Sequence, residues 1–244
     1  MTGLTERQAQ LLKAIIEEYI ETAEPVGSET IEKKYPNLGV SPATIRNEMV
    51  KLTNAGFLKK PHSSAGRIPT PAGLKFYTRE LMKAKELSVG DEVAVKEKVW
   101  NYRFSLDKLL REATRALAEK TSTLALATVD EEDIYYAGVA NILEMPEFYD
   151  INLTRNLLLM LDRTDFWSQL FSRAVEGEDP IHILLGEELG ELLSPCSFVY
   201  SHYQVGPKSQ GVIGVVGPAR LDYPYVIPVV RYFGGLISDL TKNW

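Results

Sequence analysis

Ser41 to Gly56, "SPATIRNEMVKLTNAG", is a helix whose every boundary is marked. Ser41 offers a side-chain oxygen to the free amides of a first turn. Pro42 falls where a missing N–H costs nothing, and Gly56 supplies the stop. Ile45, Met49 and Leu52 recur at the spacing of one buried stripe. A helix this short cannot bury its stripe alone, so the flanking chain must supply the other walls of a core.

Those walls are legible. Thr5 with Gln8 forms a capping box, and Leu11, Leu12, Ile15, Ile16, Tyr19 and Ile20 predict a helix over Glu6–Thr22 that stops before Pro25. Ser28 is expected to cap a short second helix with Ile31 and Tyr35 facing inward, and "PNLG" ends it. Downstream, "FLKK" and "RIPT" read as two strands around a loop. Thr70 and Pro71 then open a fourth helix expected to reach about Glu86. Three helices followed by a hairpin, with a short turn between the second and third, make a winged helix-turn-helix.

The charge is distributed to match. The chain carries −6 overall, yet Ala43–Lys85 holds nine Lys or Arg against two acids, and the remainder is −13. An acidic body with one concentrated basic segment suits a protein in which a single module meets a polyanion. On the third helix Thr44, Asn47, Lys51 and Asn54 share a face opposite Ile45 and Met49, with Arg46 beside it. Arg can pair with guanine, Asn with adenine, and a Thr methyl with thymine in a major groove.

The loop "KKPHSSAGRIPT" allows two chemistries. A Ser–His nucleophile needs a group to orient the imidazole and a pocket to exclude water. No carboxylate lies in or near this loop, so phosphate contact is the expected role. Lys59, Lys60 and Arg67 would supply charge, and His62, Ser63 and Ser64 hydrogen bonds. The expected double-stranded DNA interface is therefore Ser41, Thr44, Arg46, Asn47, Lys51, Lys59, Lys60, His62, Ser63, Ser64 and Arg67.

"LSVGDE" marks the expected seam, giving residues 1–87 and 88–244 as domains. A single long helix is expected to follow, to about Lys120. Its stripe Val95, Val99, Tyr102, Leu106, Leu109, Ala113, widened by Trp100, Phe104, Leu110 and Leu117, suits its own sheet or a dimer contact. "STLALATV", "IYYAGVANIL", "IHILL", "CSFVYSHYQV" and "GVIGVVG" read as strands. "NLLLMLDR", "FWSQLFSRAV" and Tyr225–Leu240 read as helices. The expected class is α+β, with an antiparallel sheet of about five strands flanked by helices.

Other signals are poorer. Gly211, Gly214 and Gly217 lack dinucleotide-loop spacing and a following helix, so strand packing is expected. His182, Cys196 and His202 could be imagined as a metal trio, but His182 sits within "PIHILLG" and Cys196 is most simply a small buried apolar group; Glu187–Glu188 read as a helix start. No pattern calls for a cofactor. The apolar run Leu157–Leu161 is far short of the ~20 residues of a membrane helix. With one cysteine and no apolar leader, a cytoplasmic protein is expected.

"EPVGSETI", "VSPATIRNEMVKLTNAGFL" and "KKPHSSAGRIPTPAG" resemble the heat-inducible transcription repressor family HrcA. So do "GVANILEMPEF", "LLGEEL" and "GVIGVVGPARLDYPYVI" later in the chain. The resemblance implies a winged-helix domain followed by a GAF-like domain. It implies a homodimer that represses chaperone genes from an inverted-repeat operator, loses activity on heat stress, and has a GroEL-type chaperonin as partner. Members carry a dimerisation domain inserted ahead of the segment matching "YYAGVANILEMPEF", where this chain has only "VDEED" (Val129–Asp133). The long-helix stripe and the closing helix are the remaining candidates for a dimer surface. Ala219 and Leu221 in "GPARLDY" are minor departures. Three rivals stay open: a regulator that answers a small ligand in the GAF-like domain, a catalytic second domain, and a winged-helix RNA or protein adaptor.

Overall fold

The computed structural model describes residues 3–130, 133–163, 166–167 and 179–244. The chain separates into two compact units, Met1–Lys83 and Ala84–Trp244. The division falls a few residues ahead of the expected seam.

The first unit contains α1 (Glu6–Thr22), α2 (Ser28–Lys34), α3 (Pro42–Asn54), the hairpin β1 (Leu58–Lys59) and β2 (Ile68–Pro69), and α4 (Pro71–Phe76). α1 starts with the capping box, Thr5 N–H donating to Gln8 Oε1 at 3.0 Å and Gln8 N–H to Thr5 Oγ1 at 3.3 Å. Its face Leu11, Leu12, Ile15 and Ile16 is buried, as are Ile31 of α2 and Ile45, Met49 and Leu52 of α3, with α1 and α2 both packed on α3. Two expectations need correction. Ser28 is the first residue of α2 and is itself buried; Gly27 takes the cap position without a side-chain bond. The fourth helix does not reach Glu86: α4 passes into a π turn, Tyr77–Leu81, and Met82 is extended. Tyr77 is buried there against α1, and the wider turn ends the helical ladder after it.

The hairpin is tied back to the helices. Val26 and Arg67 exchange both backbone hydrogen bonds, at 2.8 and 2.9 Å, adding a one-residue bridge beside β2. Gly66 makes that approach possible, because a Cβ there would collide with the Val26 carbonyl.

The second unit begins with α5 (Val89–Trp100) and α6 (Leu106–Thr121), which break the long helix expected there. A straight rod would leave the stripe in water. Folding back at Asn101–Ser105 buries Val95, Val99, Leu109 and Ala113 inside the unit. Lys98–Glu119, 2.6 Å apart, and Lys120–Asp91 link the two helices. Val95, Val99, Leu109 and Ala113 of the stripe therefore serve their own domain, while Trp100 and Phe104, which widened it, stay exposed.

The sheet is wholly antiparallel, in order β4 (Asp133–Ala137), β3 (Leu124–Val129), β7 (Ser209–Pro218), β6 (Cys196–Val205), β5 (Ile181–Leu185). α6 and the closing helix α8 (Tyr223–Thr241) cover one face. α7 (Ile151–Leu161) and Trp167 cover the other, meeting Leu124, Leu126, Phe198, Tyr200 and Val216. This is the α+β, GAF-like arrangement. The segment "IYYAGVANIL" is a strand only to Ala137; Val139–Glu144 coils into a 3-10 helix, and Asn141 Nδ2 ties it to Thr123 O at 3.0 Å. α8 is largely buried, so it too belongs to its own core. "FWSQLFSRAV" lies outside the described residues except for Phe166 and Trp167. Among the described residues no helix is long and apolar enough to cross a membrane.

The three spaced glycines lie in β7. At Gly211 a Cβ would strike Thr128 O and lie 2.6 Å from the Tyr203 phenol oxygen. That phenol donates to Thr128 O at 2.6 Å, and burial holds its pKa above the usual tyrosine value. Gly211→Ala is expected to lower stability by about 1–3 kcal/mol, since neither the backbone nor the ring can yield cheaply. Urea unfolding followed by tryptophan fluorescence measures it, and an unchanged midpoint would contradict the packing described.

Candidate nucleic-acid interface

α3 is set by its cap. Ser41 Oγ accepts from Thr44 N–H at 3.3 Å and lies 3.1 Å from Thr44 Oγ1, with Pro42 in the first turn. With Ile45, Met49 and Leu52 buried, the outward face carries Ala43, Arg46, Asn47, Val50, Lys51 and Asn54, all exposed. Thr44 is only half exposed, its hydroxyl engaged with the cap.

Electrostatics on this face is one-sided. Glu48 is the one acid of α3, and it is occupied. Its carboxylate accepts from Lys51 Nζ at 2.7 Å and Gln8 Nε2 at 2.9 Å, and these two bonds, Lys51's first, hold its pKa below the ordinary carboxylate range. Its side chain is mostly covered, whereas Lys51 remains exposed. The pair leaves Arg46 and Lys51 as the charges that α3 shows to solvent.

The wing adds to this. Lys59, Lys60, His62, Ser63 and Ser64 are exposed. The loop folds on itself: Ala65 N–H donates to His62 O at 3.0 Å, and Lys60 Nζ donates to Ser63 O. Arg67 behaves differently. It is half-buried, and its Nε donates to Thr53 Oγ1 of α3 at 3.0 Å, so its guanidinium links the hairpin to the helix.

The structure brings Arg46, Lys60, Ser64 and Arg67 to one open recess between α3 and the wing, with Val50 and Met49 on its wall. The start of α2, at Ser28, Glu29 and Thr30, closes the far side. Asn47 and Lys51 are on the outer face of α3, and Lys59 is on β1. Reading polarity alone passed over Ala43 and Val50, which are apolar yet exposed. It also passed over Thr53 as the anchor of Arg67. The signal for the first pair was geometric: both lie opposite Ile45 and Met49 on a 3.6-residue turn.

Elsewhere, the rings of His182 and His202 meet edge-to-face at 5.0 Å, and His182 also stacks on Tyr200 at 5.2 Å. Burial, and then His202 beside it, lowers the His182 pKa. Cys196 is at the other end of β6, six residues and about 20 Å from His202 in an extended strand. It is buried in the core, where desolvation pushes its thiol up to about 12. Among the described residues no group of three or more His, Cys, Asp or Glu could hold a metal ion. Glu187 and Glu188 open a 3-10 helix, Gly186–Leu189, with Glu188 accepting from Leu185 N–H at 3.0 Å.

Comparison with known proteins gives a consistent result across both units. The family model described as "HrcA protein C terminal domain" matches residues 82–227, and the "DeoR-like helix-turn-helix domain" matches residues 7–70. The heat-inducible transcription repressor HrcA of Desulforamulus reducens is 30% identical, over 93% of this chain and 94% of that protein. The protein of the same description from Symbiobacterium thermophilum is 27% identical, over 98% and 99%. These alignments run to 330 and 342 residues against 244 here, so both relatives carry long stretches with no counterpart in this chain. A crystal structure of a hypothetical protein matches with a TM-score of 0.75 and 20% identity over 98% of both chains, which speaks to the fold. With one family model over more than half its length and relatives aligned along nearly all of it, the chain belongs to the heat-inducible transcription repressor HrcA family, and is a transcription repressor with a helix-turn-helix DNA-binding domain, not an enzyme.

Proposed function

We propose that this repressor seats α3 in the major groove of duplex DNA, with Thr44, Arg46 and Asn47 nearest the bases. Lys51, Lys59, Lys60, His62, Ser63, Ser64 and Arg67 then hold the phosphate backbone, with Ser41 fixing the helix start. The carrying observation is the recess between α3 and the wing. Three cations line it against one acid, Glu29, while the single acid of α3 is tied to Lys51 and Gln8. Such a surface draws a polyanion even though the chain as a whole is acidic. Two copies would read an inverted repeat, because a two-fold protein matches a two-fold site. We extend the relatives' description, heat-inducible repression, to this chain, with a GroEL-type chaperonin as the partner that keeps it active.

Selection of bound sites from random duplex DNA at physiological salt is expected to return an inverted repeat. Sites without symmetry would remove the dimeric reading. Asn47→Ala is expected to cost about 1–3 kcal/mol on the selected site and to relax choice at one base position. Lys60→Ala is expected to weaken selected and random duplexes alike and to lower the salt slope by about one unit. Equal losses on both DNAs for both variants would take base reading away from α3. Finally, operator binding measured before and after warming is expected to fall without chaperonin and recover with it. Binding that survives unaided would overturn the heat-responsive part.

A further inference from the structure

Val50 is the large apolar side chain left exposed on α3, with 42% of its surface open to water. Nothing in the fold of the first unit asks for a valine there. A β-branched residue is a poorer helix former than the Lys, Gln or Glu that an open position usually carries, and it leaves apolar surface wet. Its place is also particular. It follows Arg46 by one turn, precedes Asn54 by one turn, and lies three residues on from Asn47, at the middle of the outward face. It forms part of the wall of the recess that Arg46 and Lys60 line.

Resting on the proposal that α3 enters the major groove, we infer that Val50 reads the C5-methyl group of a thymine in the operator. The major groove displays one apolar group among its donors and acceptors, the thymine methyl. An exposed valine cannot satisfy any donor or acceptor there. Set against adenine, guanine or cytosine edges it would strip water from polar atoms and return nothing. Set against thymine it buries its own methyls and that of the base together, so it selects one base by an apolar contact where Arg46 and Asn47 select by hydrogen bonds. The inferred role is a specificity residue between the two polar ones.

The test uses the whole protein and the duplex obtained by selection, resynthesised with deoxyuridine replacing each thymine in turn. That exchange removes the methyl and nothing else. For the unaltered protein, one thymine per half-site is expected to become about three- to fourfold costlier to lose than the rest, the worth of one buried methyl. Val50→Ala is expected to bind thymine and deoxyuridine duplexes equally at that position while keeping its preferences at the bases read by Asn47. Since Val50 is exposed and alanine favours helix, the variant folds; a thermal melt matching the parent checks this. If no thymine responds, or if the penalty persists in Val50→Ala, the inference falls while the DNA-binding reading stands. If selection returns no preferred sequence at all, the groove reading fails and this inference with it.

Discussion

The pairing of Val26 with Arg67 is the constraint on which the first unit's working surface depends. A two-residue hairpin has too little ladder to stay put by itself. Here its second strand gains two backbone hydrogen bonds from the turn ahead of α2, and the Arg67 guanidinium takes hold of Thr53 on α3. Gly66 allows the close approach by having no side chain to obstruct it. The loop from Lys60 to Ser64 is thereby held beside the outward face of α3, and a recess exists where cations from both converge. Without that clamp the wing would be a charged tether, and docking it on DNA would cost the entropy of ordering it.

Charge then acts through placement more than through sum. The basic segment gains its sign locally, and Glu48 is neutralised as a liability by being bonded to Lys51 and Gln8. Lys51 keeps most of its side chain in water. Arg67 shows the opposite allocation, half-buried and structural as well as cationic. A residue picked from sequence as a phosphate contact thus has a second task that only its neighbours reveal.

The second unit is built to cover a sheet. α6 and α8 take one face of the five strands, and α7 with Trp167 takes the other. The stripe from Val95 to Ala113 and the apolar faces of α8 are both used in this covering. Much of the two surfaces that sequence offered for self-association is therefore used inside the unit. Phe104 at the corner between α5 and α6 remains 80% exposed, with Arg103 stacked on it at 4.2 Å.

Read alone, the sequence determined the first and third helices of the first unit with their caps and buried faces, and the start of the fourth. Those signals are local: Thr5 with Gln8, Ser41 with Pro42, and Thr70 with Pro71 each act within one turn. It also determined the strands of the second unit, whose β-branched runs have few other uses, and the sign of the charge on α3. What tertiary structure alone decided was where chains of equal local preference part ways. The stripe from Val95 to Ala113 read as one long helix, and the sheet available to cover settled the break at Asn101–Ser105. A reading by polarity passes over Val50 as an apolar residue, and it is exposed, because the packing of α1 and α2 against α3 buries the side of the helix that carries Ile45, Met49 and Leu52. Arg67 read as a free cation, and its bond to Thr53 follows from a backbone bridge to residue 26, forty-one positions away in sequence. Contacts of that range carry no local signature, so they enter only when the chain has closed on itself.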